Sequence, residues 1–172
     1  MKTNVTILIS LFLILYGCKE KEVVDPGSYF TVNGQTIMLQ KGYMYDFGSN
    51  TDLVSRDFDI VLVTEGINYN ESNKEMEGTG SFVYLDLNVN STEKFEPGTF
   101  QWNTVRGPDT FIYGFAGITC SLSAAVCNYE GLANGGSVMV EISGKSFIIN
   151  FNMTLIDGQT ATGYFKGPIA IL

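Results

Sequence analysis

Two carboxylates, Asp57 and Asp59, stand two residues apart in Arg56-Asp-Phe-Asp-Ile60, a run in which alternate side chains share one strand face. There they would lie about 6.5–7 Å apart, near the separation at which one carboxyl group protonates a glycosidic oxygen while another acts on the sugar. The plainer reading is a solvated strand surface, since Arg56 is adjacent and no flanking residue visibly tunes either acid. Asn68-Tyr-Asn-Glu-Ser-Asn-Lys-Glu75 offers oxygen ligands of the kind Ca²⁺ takes, but it lacks the D-x-D-x-D-G spacing that would fix them, so it reads as an acidic loop. Trp102, with Tyr113 and Tyr129, is the weak candidate for stacking on a ligand such as a sugar ring. At period two, however, it shares the side of Phe100, the inward-facing residue.

The remaining chemistry is narrow. The chain has no His, which removes every Ser-His, Cys-His and His-metal device. No P-loop, dinucleotide fingerprint, G-x-S-x-G elbow or zinc spacing occurs. No catalytic residue, metal or cofactor is therefore expected. Of the three cysteines, Cys120 and Cys127 flank six short residues and suit a disulfide across a hairpin tip; two free thiols are the alternative.

Cys18 has a different setting. Lys2 and the apolar run Val5 to Tyr16 lead into Leu15-Tyr-Gly-Cys18, the layout of an export signal whose apolar stretch is too short to span a bilayer. The tetrad resembles a bacterial lipobox, with Tyr16 where a smaller residue is usual. The resemblance implies cleavage before Cys18 and diacylglycerol or palmitate on its thiol; a plain secretory signal is the alternative. Lys19-Glu-Lys-Glu22 resembles the short charged export signals of Bacteroidota surface lipoproteins. The expected organisation is a signal peptide over 1–17, an acylated Cys and tether over 18–27, and one domain over 28–172.

The elements that position these residues are strands. Phe147, Ile149, Phe151, Met153 and Leu155 alternate with Asn150, Asn152 and Thr154, Val83 to Val89 does the same, and Phe58, Ile60 and Leu62 form a third row whose other face, Val61 and Val63, is apolar too. Asn33-Gly34 and Asp157-Gly158 are hairpin signals, because a type I′ turn needs positive φ at both central residues. Ser143-Gly-Lys145 closes another turn, and Gly66 to Gly80 reads as a long polar insertion. The pattern predicts an all-β antiparallel sandwich of about nine or ten strands, with a closed up-and-down barrel as the alternative.

Ten Lys and Arg against 18 Asp and Glu give a net charge of −8, which excludes nucleic acid as a partner. The run from Gly135-Gly-Ser-Val through Asp157-Gly158 to Thr162-Gly-Tyr-Phe-Lys-Gly167, with Glu96-Pro-Gly-Thr-Phe100 and Phe30-Thr-Val-Asn-Gly34, resembles small uncharacterised Bacteroidota lipoproteins with a β-sandwich-like body. That resemblance implies an outer-membrane, lipid-anchored protein displayed on the cell surface, or alternatively facing the periplasm. The expected role is a non-enzymatic binding or structural module whose partners are the membrane, through its anchor, and a glycan or envelope protein. A carrier of small hydrophobic ligands, or a carboxylate-only glycoside hydrolase using Asp57 and Asp59, is the alternative.

Overall fold

The computed structural model describes residues 27–51 and 54–172. The signal segment, Cys18 and the tether as far as Pro26 lie outside the described residues. The described chain is all-β, with twelve strands: β1 (Tyr29–Val32), β2 (Gln35–Met38), β3 (Lys41–Ser49), β4 (Arg56–Val63), β5 (Ile67–Asn70), β6 (Glu75–Val89), β7 (Gly98–Trp102), β8 (Thr110–Ser121), β9 (Val126–Ser143), β10 (Ser146–Leu155), β11 (Thr160–Gly167) and β12 (Ile169–Ile171).

Hairpins form at all three expected places, but only Asn33-Gly34 has positive φ at both central residues; at Asp157-Gly158 Gly158 alone does, and Leu155 and Gln159 close a longer loop. Asn33 and Gly34 have φ of 50° and 69° and join β1 to β2, Gly144 closes β9–β10, and Gly158 closes β10–β11. The architecture differs from the expected sandwich of nine or ten antiparallel strands. Eleven strands follow one path, β12-β3-β4-β6-β8-β7-β9-β10-β11-β1-β2, with β5 off it and paired to β6, and the sheet is mixed, because β12 runs parallel to β3 and β7 parallel to β8.

Length and bulges account for the difference. β6 and β9 are 15 and 18 residues long, and register shifts interrupt the β3–β4, β6–β8 and β9–β10 ladders. Bulges bend a strand and increase its twist, so one sheet curls into a half-barrel instead of two layers stacking. β8 and β9 pair near their shared hairpin and then splay, and β7 fills the gap between them. Beyond Pro168 the chain passes from β11 to β12 and pairs with β3, bringing the start and finish of the domain together.

The inner face of the curl carries the core. Phe30, Phe100, Phe111, Ile60, Leu62, Val83, Leu85, Leu87, Val89, Ile149 and Met153 are fully enclosed there, confirming the three alternating rows. The apolar outer face of β4 also finds its reason. Val61 and Val63 pack with Ile67 in a second cluster, because residues 66–80 are not a loop but the β5–β6 hairpin, folded over that face.

Candidate functional site

On the outer face, strand register builds a grid. Tyr45 of β3 pairs with Asp59 of β4, Asp59 with Asp86 of β6, and Asp86 with Tyr113 of β8, so one row across four strands reads Tyr-Asp-Asp-Tyr. The next row reads Tyr43, Val61, Tyr84, Phe115; on the other side Asp57 pairs with Asn88 and Asn88 with Thr110. Tyr69 of β5 adds a ring 6.2 Å from Tyr45 and 6.3 Å from Tyr43, and Tyr113 stands edge-on to Tyr84 at 5.6 Å.

Asp57, Asp59 and Asp86 each bring a carboxylate oxygen within 4.8 Å of the others. Asp59 and Asp86 are each only 7% exposed and Asp57 is half-buried, so Asp57 and Asp59 are not the solvated strand surface that the sequence suggested. Arg106, from the β7–β8 loop, donates to Asp57 and, at 3.1 Å, to Asp86. It also reaches Asn88 Oδ1 at 3.3 Å, where Asn50 donates at 2.7 Å. Asp57 Oδ1 is buried without a hydrogen-bond donor among the described residues.

One guanidinium serves three carboxylates, and the titration of the cluster reflects that shortage. Burial pushes Asp59 up to about 6; the Asp57 charge adds to this, while a hydrogen bond from Tyr84 and the charge of Arg106 oppose it. Burial and the Asp57 charge push Asp86 up to about 7 against the pull of Arg106. Burial raises Tyr84 and Tyr45 as well, so both phenols stay protonated and able to donate. A carboxyl oxygen cluster can hold a proton or a hard cation. Here Arg106 already supplies positive charge between Asp57 and Asp86, and Asp59 and Asp86 are pushed toward taking up a proton.

The other candidates take separate places. Trp102 packs against the inner core with its ring edge-on to Phe111 at 5.3 Å, and Tyr129 packs there too, its hydroxyl donating to Asp157 at 2.9 Å. Tyr113 lies on the opposite face, 44% exposed, so the three rings form no common platform. In the Asn68–Glu75 segment the oxygens cap the hairpin turn: Asn70 Oδ1 accepts from Ser72 N–H and Asn73 Oδ1 from Glu75 N–H. Cys120 and Cys127 sit opposite each other on β8 and β9 and form a disulfide at the hairpin tip.

Asp86, Arg106, Tyr45 and Tyr84 escaped the sequence reading, and Tyr113 was singled out there only as a partner of Trp102. Asp86 and Asn88 interrupt the apolar row Val83 to Val89, which showed that they share the outer face but not that β6 lies beside β4. No protein-family model matches the chain, and no curated protein or solved structure matches it significantly.

Proposed function

We propose that the protein is a lipid-anchored envelope module that binds a glycan, without turnover, through the outer face of β3, β4, β6 and β8. The observation that carries the binding reading is the Tyr-Asp-Asp-Tyr row, where buried carboxyl groups, Asn88 and Arg106 lie among aromatic rings on an open sheet face. Rings cover the C–H face of a pyranose, and Arg106 with the exposed edges of the Asp57 and Asp86 carboxyl groups meets its hydroxyls, while the buried Asn88 beneath them accepts from Arg106 and holds it in place. The placement on an open face favours contact over catalysis, which needs a site that excludes water. The filled inner face speaks against a carrier with its ligand inside the curl.

The lipobox-like tetrad ending at Cys18 supports anchoring. Acyl chains contribute about 0.8 kcal/mol per buried CH₂, and two or more hold a protein on a membrane where one does not.

Mass spectrometry of the native protein from envelope fractions tests the anchor, and protease shaving of intact cells tests its side. Diacylated Cys18 and loss on shaving are expected; an unmodified chain in the soluble fraction refutes the anchor. Binding to a glycan array, reduced at least tenfold in Tyr113→Ala and Tyr45→Ala, is expected of the module. Unchanged binding in both variants refutes the assigned face.

One observation favours glycoside hydrolysis as a second reading: Asp86, at about 7, stands beside Asp57 as a carboxyl group able to give up a proton near neutrality. Release of reducing sugar that disappears in Asp86→Asn would replace binding with hydrolysis.

A further inference from the structure

A second part of the outer face, away from the Tyr-Asp-Asp-Tyr row, is built differently. Four strands, β9, β10, β11 and β1, line a shallow trough of about 250 Å³. Register again gives two rows. Met139, Asn150, Tyr164 and Tyr29 lie side by side in one, and Ser137, Asn152, Thr162 and Thr31 in the other. Asn150 stands between Met139 on one side and Tyr164 and Tyr29 on the other, and the short side chains of Ser137, Asn152 and Thr162 form the adjoining row.

Two properties set this trough apart from an ordinary wet sheet face. No lining residue is charged, although the chain carries 28 charged side chains and a net charge of −8. Its polar groups are also uncommitted: the side chains of Ser137, Asn150, Asn152, Thr162, Tyr29 and Tyr164 make no hydrogen bond to another described residue. Elsewhere the outer asparagines are spent on structure, as Asn50 is on Ser55 and Asn88, and Asn70 on Glu77.

We propose that this trough is a binding site for a neutral saccharide, taking one ring or one end of a chain of rings. Two asparagine amides, each with two donors and an acceptor oxygen, match adjacent sugar hydroxyls that donate and accept in turn. Tyr164 and Tyr29 offer aromatic surface to the apolar C–H face of the ring. Ionic ligands would find no opposite charge here, and the volume lies below the roughly 300–1,000 Å³ of sites for larger small molecules. The trough stands independently of the Tyr-Asp-Asp-Tyr face, so the molecule has two contact surfaces, one acidic and one neutral.

The test is a two-dimensional amide NMR titration of the labelled mature protein with glucose, galactose, mannose, N-acetylglucosamine and their short oligomers, up to tens of millimolar. The side-chain amides of Asn150 and Asn152 are expected to shift with at least one of them. Asn150→Ala/Asn152→Ala, both at strand positions facing outward, is expected to weaken that binding about tenfold, the worth of one to two hydrogen bonds. Thr162→Trp, which fills the trough, is expected to abolish it, with shifts elsewhere in the spectrum unchanged as proof of folding. Shifts confined to residues around Asp59 and Asp86 overturn the trough and leave the other face standing. Shifts confined to the trough uphold it and overturn the acidic face as a sugar site. No shift at either place overturns both.

Discussion

Replacing Asp86 by asparagine keeps the size and an acceptor for Arg106 while removing one of two carboxylates held opposite each other on β4 and β6. Asp59 is raised from 3.8 to about 6 and Asp86 from 3.8 to about 7, chiefly by burial. A group whose pKa is higher in the folded chain binds its proton more tightly there. Its contribution to stability is full below about 3.8, its value in the unfolded chain, and is lost as pH rises through about 6 to 7. The shift at Asp59 alone would correspond to about 3 kcal/mol at 1.36 kcal/mol per unit. The two acids share one neighbourhood and its edge is wet, so screening and coupling bring the net gain between pH 8 and pH 5 to about 1–2 kcal/mol. For a domain of this size that is a rise in melting temperature of roughly 3–8 °C. The window is unusually clean, because the chain has no histidine, and Asp46 and Asp157, whose carboxyl groups are lowered, lose their contribution only at more acid pH. Thermal unfolding from pH 5 to 8 should therefore show stability increasing on acidification in the wild type. In Asp86→Asn the slope should fall by half or more, with the variant no less stable than wild type at pH 8. A wild-type profile that is flat, or that falls between pH 8 and pH 5, would refute the argument, as would an Asp86→Asn profile parallel to the wild type.

Arg106→Ala leaves Asp57 and Asp86 without their shared cation and is expected to cost about 1–2 kcal/mol at pH 8 and less at pH 5, read by urea unfolding at the two pH values. Replacing Cys120 and Cys127 by serine removes a crosslink between residues seven apart in sequence and should lower stability by about 2 kcal/mol, matched by adding reductant to the wild type. Gly136→Ala should reduce folded yield sharply, because at φ 113° a Cβ would lie 2.0 Å from the Asn152 carbonyl oxygen; soluble, wild-type-like protein would contradict this. Gly34→Ala, with φ of 69° but nothing near its Cβ, should cost only about 1 kcal/mol in the same unfolding assay.

Local order was legible in the sequence and long-range order was not. Period two placed Phe147, Ile149, Phe151, Met153 and Leu155 on the inner face, and Asn33-Gly34 and Asp157-Gly158 located two hairpins, because each signal lies within a few residues. The double apolar face of β4 was visible as well, but its cover, the β5–β6 hairpin, was taken for a polar insertion because Tyr69 and Met76 are scattered among Asn and Glu. Sandwich and half-barrel share the same alternation; what separates them is where long strands bulge, and bulges at Asp46, Gly80 and Asp86 carry no distinctive residue pattern. The site followed the same rule. Asp57 and Asp59 lie on one strand and were found together, whereas Asp86 and Arg106 join them only through pairing across 27 residues and a loop 47 residues beyond Asp59.

The energetics of that pairing bear on the proposed role of the acid face. Like charges directly opposite on neighbouring strands are unfavourable, and enclosing carboxylates with too few donors adds a desolvation cost. Val61 and Val63, on the same face of the same strand, show what the sheet does where burial alone decides: they pack against Ile67 under a hairpin. Two residues away the strand instead carries Asp59 against Asp86, with Asp57 Oδ1 lacking a donor among the described residues. A valine or threonine row there would fold more stably, so the acids stand at the expense of stability, the pattern found where function constrains a site. Asp59→Asn/Asp86→Asn separates the two explanations. A working site predicts a variant more stable than wild type at pH 8 and weaker in glycan binding, measured on the same sample. A purely structural cluster predicts lower stability with binding unchanged.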